Sequence, residues 1–88
     1  MELEELRDEI KRTDIEILVL MKKRLDLAKE VGLCKIKSGK EIVNSSVEDE
    51  VVDRYRSFAE KNGMDPDRAE DVCRILIGES VELQRSLR

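Results

Sequence analysis

The chain has 88 residues, with 17 Lys and Arg, 21 Asp and Glu and no His, so its net charge is −4 at pH 7. This length predicts one domain, residues 1–88, and the acidic balance argues against a nucleic-acid partner, which requires a basic surface. Because histidine is absent, acid–base catalysis by histidine and most zinc sites are excluded.

The remaining composition favours a cytoplasmic protein. Two cysteines, Cys34 and Cys73, form neither a metal motif nor a disulfide framework, and we expect both to be small buried residues on helices. The longest apolar run, residues 17–21, is far shorter than the ~20 residues of a membrane span. The N-terminal residues 1–5 are acidic, unlike those of a signal peptide. We therefore expect no membrane contact.

The first predicted element is a long helix from about Leu3 to Ile36, which carries a heptad repeat. One row holds Leu3, Ile10, Ile17, Arg24 and Val31, and the row four residues later holds Arg7, Asp14, Met21, Ala28 and Lys35. A helix of this length measures roughly 50 Å, which two shorter helices cannot cover alone. The exposed part is therefore expected to pair with another chain, most simply in a two-fold homodimer.

Two more helices follow, so the predicted fold class is all-α with three helices. The second should begin at Ser45 or Ser46, since residues 45–48 have the spacing of a capping box, and end at residues 62–63. The third should start with Asp65 as N-cap and a proline in the first turn, and run to the C-terminus. Gly78 lies inside this helix, at a cost of about 1 kcal/mol relative to Ala, which suggests a close backbone approach there.

Charged residues interrupt the heptad seam of the first helix. A single buried charge is most simply ion-paired or fixes the register, but Asp14 can match only one of the three seam cations. The others predict an anionic ligand between helices. Arg24 and Lys35 lie three turns apart on one face, roughly 16 Å along the axis, and can grip one small dianion. Arg7 is about 25 Å from Arg24 and could join them only from the antiparallel helix of a second chain.

Polar side chains on the other helices extend this predicted site. Ser80 and Gln84 are neighbours at i, i+4 on the third helix. Either one alone is most simply exposed to solvent, but together they offer a hydroxyl and an amide to a ligand held by cations. Glu48 is most simply the carboxylate of the capping box, and alternatively it accepts a hydrogen bond from a ligand hydroxyl.

These residues resemble the all-helical chorismate mutases of the AroQ class. The similarity lies in residues 6–10, Asp14, residues 23–28, residues 31–35 and residues 77–84. It implies an intertwined homodimer with shared active sites that rearranges chorismate to prephenate in phenylalanine and tyrosine biosynthesis. The implied reaction is intramolecular and needs no nucleophile, cofactor or metal.

The resemblance also implies individual roles. Arg24 would bind one substrate carboxylate, and Arg7 of the partner subunit would bind the other. Lys35 would contact the ether oxygen and a carboxylate, and Gln84 would donate to the same ether oxygen from the opposite side. Arg24, Lys35 and Gln84 are therefore the predicted catalytic residues.

The remaining predicted binding residues are Ser80, beside a carboxylate, Glu48, which would accept from the ring hydroxyl, and Asn44. Many bacterial relatives have Asp where this chain has Asn44, and Arg where this chain has Val47. The second difference means that the pocket of this chain lacks a cation on the side of the second helix. Two other functions stay open. One is an isochorismate pyruvate lyase of the same fold, and the other is a non-catalytic helical dimer or regulatory subunit, for which Val47 is the best support.

Overall fold

The computed structural model describes all 88 residues and consists of three α-helices without a strand. Helix α1 spans Leu3–Lys37, α2 spans Ser45–Lys61 and α3 spans Pro66–Ser86. The predicted all-α class is confirmed, and each helix lies where the sequence predicts it. None of the three helices combines the length and the apolar character that crossing a bilayer requires.

The predicted start of α3 is confirmed, whereas the predicted capping box of α2 is wrong. The Asp65 carboxylate accepts from the backbone N–H of the second residue after it at 2.9 Å. At α2 the N-cap is Asn44, whose Oδ1 accepts from the backbone N–H of Val47 at 3.3 Å and from the Ser46 hydroxyl at 3.0 Å. An asparagine side chain caps as well as a serine, so the cap lies one residue earlier and Glu48 takes no part in it.

Helix α3 is the centre of the fold and packs against both other helices, while no Cα atom of α2 lies within 8 Å of a Cα atom of α1. The two fully buried residues are Ala59 of α2 and Cys73 of α3. On the other side of α3, Ala28 and Gly32 of α1 are buried. The second half of α1 is thereby fixed beside α3, whereas its first half extends away from it.

The first half of α1 is exposed along its whole length. Its large apolar side chains are each at least 46% exposed: Leu3, Leu6, Ile10, Ile15, Ile17, Leu18, Val19 and Leu20. The molecule measures 55 × 24 × 14 Å, and its radius of gyration is 16.0 Å. A globular chain of this length has a radius of gyration of about 12 Å, so the single chain forms a rod with a short two-helix branch.

Two smaller predictions are wrong. Cys34 is exposed, because it lies on a face of α1 that does not meet α3, and only Cys73 is buried. Gly78 makes no close approach, since an added Cβ there would meet no atom within 4 Å. The close approach occurs instead at Gly32 of α1, where an added Cβ would lie 2.8 Å from Cγ of Gln84.

Candidate active site

A cavity of about 280 Å³ lies between the second half of α1, the start of α2, the last turns of α3 and the loop that joins α1 to α2. Six of the seven predicted binding residues line it: Arg24, Lys35, Asn44, Glu48, Ser80 and Gln84. The seventh, Arg7, does not. The structure therefore brings together residues that are up to 60 positions apart in the sequence.

Arg24 is half-buried and is held in place by α3. Its Nη1 donates to the carbonyl oxygen of Leu76 at 3.0 Å and to the Ser80 hydroxyl at 2.5 Å. The Ser80 hydroxyl in turn donates to the same carbonyl oxygen at 3.0 Å. A guanidinium has five N–H donors, so the donors of Nε and Nη2 remain without a protein partner. Those donors suit a planar carboxylate.

Lys35 is anchored by the loop between α1 and α2. Its Nζ donates to the carbonyl oxygen of the buried residue Ile42 at 2.6 Å, which leaves two of its three N–H donors for a ligand. Neither Lys35 nor Arg24 forms an ion pair, since all seven ion pairs of the chain lie elsewhere. With Glu48 as the single lining carboxylate, the cavity carries one net positive charge and attracts anions.

Gln84 crosses from α3 to α1. Its side chain is 5% exposed, and its Nε2 donates to the carbonyl oxygen of Ala28 at 2.8 Å. Because a carbonyl oxygen only accepts, this bond fixes the orientation of the amide and leaves one N–H of Nε2 for a ligand. Ser80 is also buried, so solvent exposure does not explain either residue.

The α2 side of the cavity contributes Glu48, Asn44 and an apolar wall. Glu48 is half-buried and its side chain forms no hydrogen bond or ion pair, so its carboxylate is free to accept from a ligand hydroxyl. The Oδ1 atom of Asn44 caps α2, which leaves its Nδ2 as a donor. The apolar lining consists of Leu27, Ala28, Val31, Ile42, Val47, Val51, Ile77 and Val81.

Sequence reasoning missed the three backbone carbonyls that anchor the polar side chains, those of Ala28, Ile42 and Leu76. Every residue has a carbonyl, so no sequence signal distinguishes these three. Only Ile42 carried a hint, because a large apolar residue is often buried, but the neighbouring Val43 carries the same hint and is exposed. The apolar wall was missed because apolar residues occur on every helix, and residue type alone does not indicate which of them line a cavity.

Arg7 lies on the exposed first half of α1, where it pairs with Glu4 at 3.4 Å. Arg7 and Arg24 belong to the same continuous helix and are seventeen residues apart, or about 25 Å along its axis. A single chain therefore does not bring Arg7 to the cavity.

The arrangement suits anion binding and charge stabilisation more than covalent chemistry. The Ser80 hydroxyl already donates to a carbonyl oxygen, and its other hydrogen-bond partner is the Arg24 guanidinium, which is not a base. Burial raises the pKa of the Cys73 thiol, and this residue lies outside the cavity lining. The groups left for a ligand are N–H donors of Arg24, Lys35 and Gln84, the Glu48 carboxylate and a close apolar wall.

Comparisons with known proteins identify the family of this chain. A sequence profile described as chorismate mutase type II matches residues 6–85. The T-protein of Enterobacter agglomerans is 40% identical over 79 residues, which are 90% of this chain and 21% of that protein. The T-protein of Haemophilus influenzae is 38% identical over 78 residues, which are 89% of this chain and 21% of that protein.

A third relative, the intracellular chorismate mutase of Mycobacterium tuberculosis, is 41% identical over 54 residues, which are 61% of this chain and 51% of that protein. The chain thus spans about half of this relative and about a fifth of the two T-proteins. The matched profile covers nearly all of the chain and every residue of the cavity described above. The chain therefore belongs to the chorismate mutase type II family.

Proposed function

We propose that this protein is a chorismate mutase, which rearranges chorismate to prephenate within one molecule in the biosynthesis of phenylalanine and tyrosine. The observation that carries the proposal is that Arg24, Lys35 and Gln84 each present unused N–H donors to the same cavity, beside its apolar wall. The family membership of the chain supports the same activity. We also propose a cytoplasmic location, which is supported by a relative whose name describes it as intracellular.

Substrate binding in this proposal rests on charge. Chorismate carries two carboxylates, and the unused donors of Arg24 bind one of them in a bidentate manner. The cavity has one net positive charge, which does not balance a dianion. A further cation is needed, and Arg7 of a second chain supplies it. Glu48 accepts from the ring hydroxyl, and Ser80 and the Asn44 amide line the carboxylate positions.

The chemistry is an isomerisation in which one C–O bond breaks as one C–C bond forms, so no atom, proton or electron leaves the substrate. The cavity holds the compact conformer in which the two reacting carbons are close. In water, the entropic cost of reaching this conformer is part of the activation barrier, whereas in the cavity substrate binding has already restricted the conformer. The ether oxygen gains negative charge as its bond breaks. Lys35 and Gln84 donate to it from two sides, and such preorganised donors stabilise the transition state.

A homodimer is the second part of the proposal. One chain exposes 7037 Å², whereas a compact protein of its mass exposes roughly 5,300 Å². The excess, roughly 1,700 Å² per chain, is of the size that each partner buries in permanent dimers. We assign it to the first half of α1, where eight large apolar side chains are exposed. Antiparallel pairing of two such helices covers this surface and brings Arg7 of one chain toward Arg24 of the other.

The activity is tested with purified protein and chorismate, by the loss of ultraviolet absorbance and by identification of the product by mass. A product of unchanged mass with the properties of prephenate is the expected result. Release of pyruvate from isochorismate, without conversion of chorismate, would instead identify a lyase. Conversion of neither compound would identify a non-catalytic dimer or regulatory subunit.

The shared site is tested by mixing inactive variants. Arg7→Ala and Arg24→Ala chains, exchanged to equilibrium, should form heterodimers with one intact site, so about a quarter of wild-type activity returns for two-fold dimers. A mixture of Arg24→Ala with Lys35→Ala is the matched control, because both residues belong to the same chain's site and no heterodimer contains an intact one. Equal activity of the two mixtures would refute the shared site.

A further inference from the structure

We propose that Gly32 is the positioning residue of the site, whose missing side chain lets Gln84 reach across from α3 and present an N–H to the cavity. This inference rests on the proposed function for its kinetic part. Gly32 itself does not line the cavity and would not touch the substrate. It acts through the placement of Gln84.

The distances around Gly32 leave no room for a Cβ atom. Such an atom would lie 2.8 Å from Cγ and 3.3 Å from Cβ of Gln84, and 3.0 Å from Cδ1 of Leu87. Carbon atoms that are not bonded to each other pack at about 3.5–4.0 Å. Both Gly32 and Gln84 are buried, and the clashing atoms are Cγ and Cβ of Gln84, at the base of its side chain. A Cβ at residue 32 would therefore displace the whole side chain and not only its far end.

Backbone conformation does not explain the glycine. The two glycines with positive φ are Gly39 and Gly63, at 66° and 68°, and both lie in the turns after helices. Gly32 is in the interior of α1, where any residue other than proline is compatible with the backbone and where glycine costs about 1 kcal/mol relative to alanine. The close approach of α3 is therefore the feature that requires it.

The position of Gly32 connects this contact to the polar site. Ala28 lies one turn before Gly32 on the same face of α1, and its carbonyl oxygen accepts from Nε2 of Gln84 at 2.8 Å. The Gln84 side chain thus passes over Gly32 to reach Ala28. A Cβ at residue 32 would push Cγ away by roughly 0.7 Å or more to restore ordinary contact. The amide, with its second N–H, would shift with it.

Gly78 provides a matched control inside the same molecule. It also lies within a helix, and it also costs helix stability relative to alanine. An added Cβ at Gly78 would meet no atom within 4 Å. Gly78→Ala therefore changes helix propensity alone, whereas Gly32→Ala changes helix propensity and displaces Gln84.

The kinetic test compares Gly32→Ala, Gly78→Ala, Gln84→Ala and the double variant Gly32→Ala/Gln84→Ala. Gly32→Ala should lower kcat by about 10²-fold with a smaller change in KM, as expected for a misplacement of roughly 1 Å. Gly78→Ala should keep kcat and KM and raise Tm. The double variant should be no slower than Gln84→Ala, because the displaced group is already absent. A wild-type kcat in Gly32→Ala would overturn the proposal. So would a double variant whose kcat is reduced by the two single-variant factors multiplied together.

A variant with Leu87→Ala separates positioning from general destabilisation, including the case where Gly32→Ala alone does not fold. Truncation of Leu87 removes the 3.0 Å contact but leaves the contact with Gln84. Gly32→Ala/Leu87→Ala should therefore regain stability while kcat stays low relative to Leu87→Ala. Recovery of kcat together with stability would show that Leu87, and not Gln84, responds to residue 32.

A spectroscopic measurement makes the inference independent of the proposed activity. In the nuclear magnetic resonance spectrum, one side-chain amide proton of Gln84 should be protected from solvent exchange by its bond to Ala28. Gly32→Ala should abolish that protection, and Gly78→Ala should preserve it. Unchanged protection in Gly32→Ala would overturn the positioning role. If Gly32→Ala loses the protection and the wild-type protein keeps it but converts no chorismate, the positioning role stands and the proposed function is refuted instead.

Discussion

Replacing Gln84 by glutamate exchanges a permanent donor for a titratable one at the centre of the site. The Nε2 atom of Gln84 donates to the carbonyl oxygen of Ala28 at 2.8 Å, and its second N–H is available to the ether oxygen of the substrate. In Gln84→Glu an oxygen takes the place of this nitrogen. Unprotonated, it would repel both the Ala28 carbonyl oxygen and the developing negative charge. Protonated, it can donate to one of them.

The structure sets the sign and the size of the effect. Residue 84 is 5% exposed, so desolvation raises the pKa of the introduced carboxyl above the ordinary value of about 4.3. At pH values between the ordinary pKa in the unfolded chain and the raised pKa in the folded chain, the folded chain binds one more proton than the unfolded chain. The free energy of unfolding of Gln84→Glu should therefore fall by up to about 1.4 kcal/mol per pH unit as the pH rises through this range.

Activity should follow the same protonation. Loss of one preorganised donor typically lowers kcat by about 10²–10³-fold, so Gln84→Glu should be nearly inactive at pH 8 and recover toward pH 5. Wild-type kcat should vary little over this range, because the amide does not titrate. Gln84→Ala should be slow at both pH values. Gln84→Met, which is of similar length but has no donor and no titrating group, is the matched control.

The assay follows chorismate loss and the thermal midpoint of each variant between pH 5 and pH 8. Full activity of Gln84→Glu at pH 8 would refute the donor role and leave Gln84 as a packing residue, with Lys35 as the only group at the ether oxygen. The same pH recovery in Gln84→Met would show that another group titrates.

Three further predictions concern the cavity wall, the α2–α3 contact and the thiols. Val47→Arg should lower KM more than it raises kcat, because Val47 lines a cavity with one net positive charge, whereas Val47→Gln should leave KM unchanged. Hydrogen bonds from Arg74 of the same helix at 2.8 Å and from Arg56 of α2 at 3.0 Å lower the pKa of Glu70 below its ordinary value. This contribution is present above that value and disappears at lower pH, so Glu70→Gln should slightly lower Tm at pH 7 but not at pH 3. A thiol reagent should react quickly with Cys34 in the folded protein and with Cys73 only after denaturation, since Cys34 is exposed and burial raises the pKa of Cys73.

The helices and their ends were predictable because the signals that form them act within one or two turns. Asp65 followed by proline starts α3, and glycines in the turns after α1 and α2 adopt positive φ. The exception at Asn44 is also local, since asparagine and serine compete for the same capping position. The heptad of α1 further predicted which face carries cations, and Arg24 and Lys35 both line the cavity.

The sequence by itself determined three helices, a rod-like α1 and a set of polar residues that could serve an anion. The tertiary structure decided which of them meet. Arg24 bonds to Ser80, and Gln84 to Ala28, across 56 residues of sequence in both cases. Only the packing of α3 on α1 buries Ser80 and Gln84 and makes Gly32, rather than Gly78, the point of close approach. Helix signals are local, whereas burial depends on which faces of distant helices pack together, and the residues of one helix do not specify that alone.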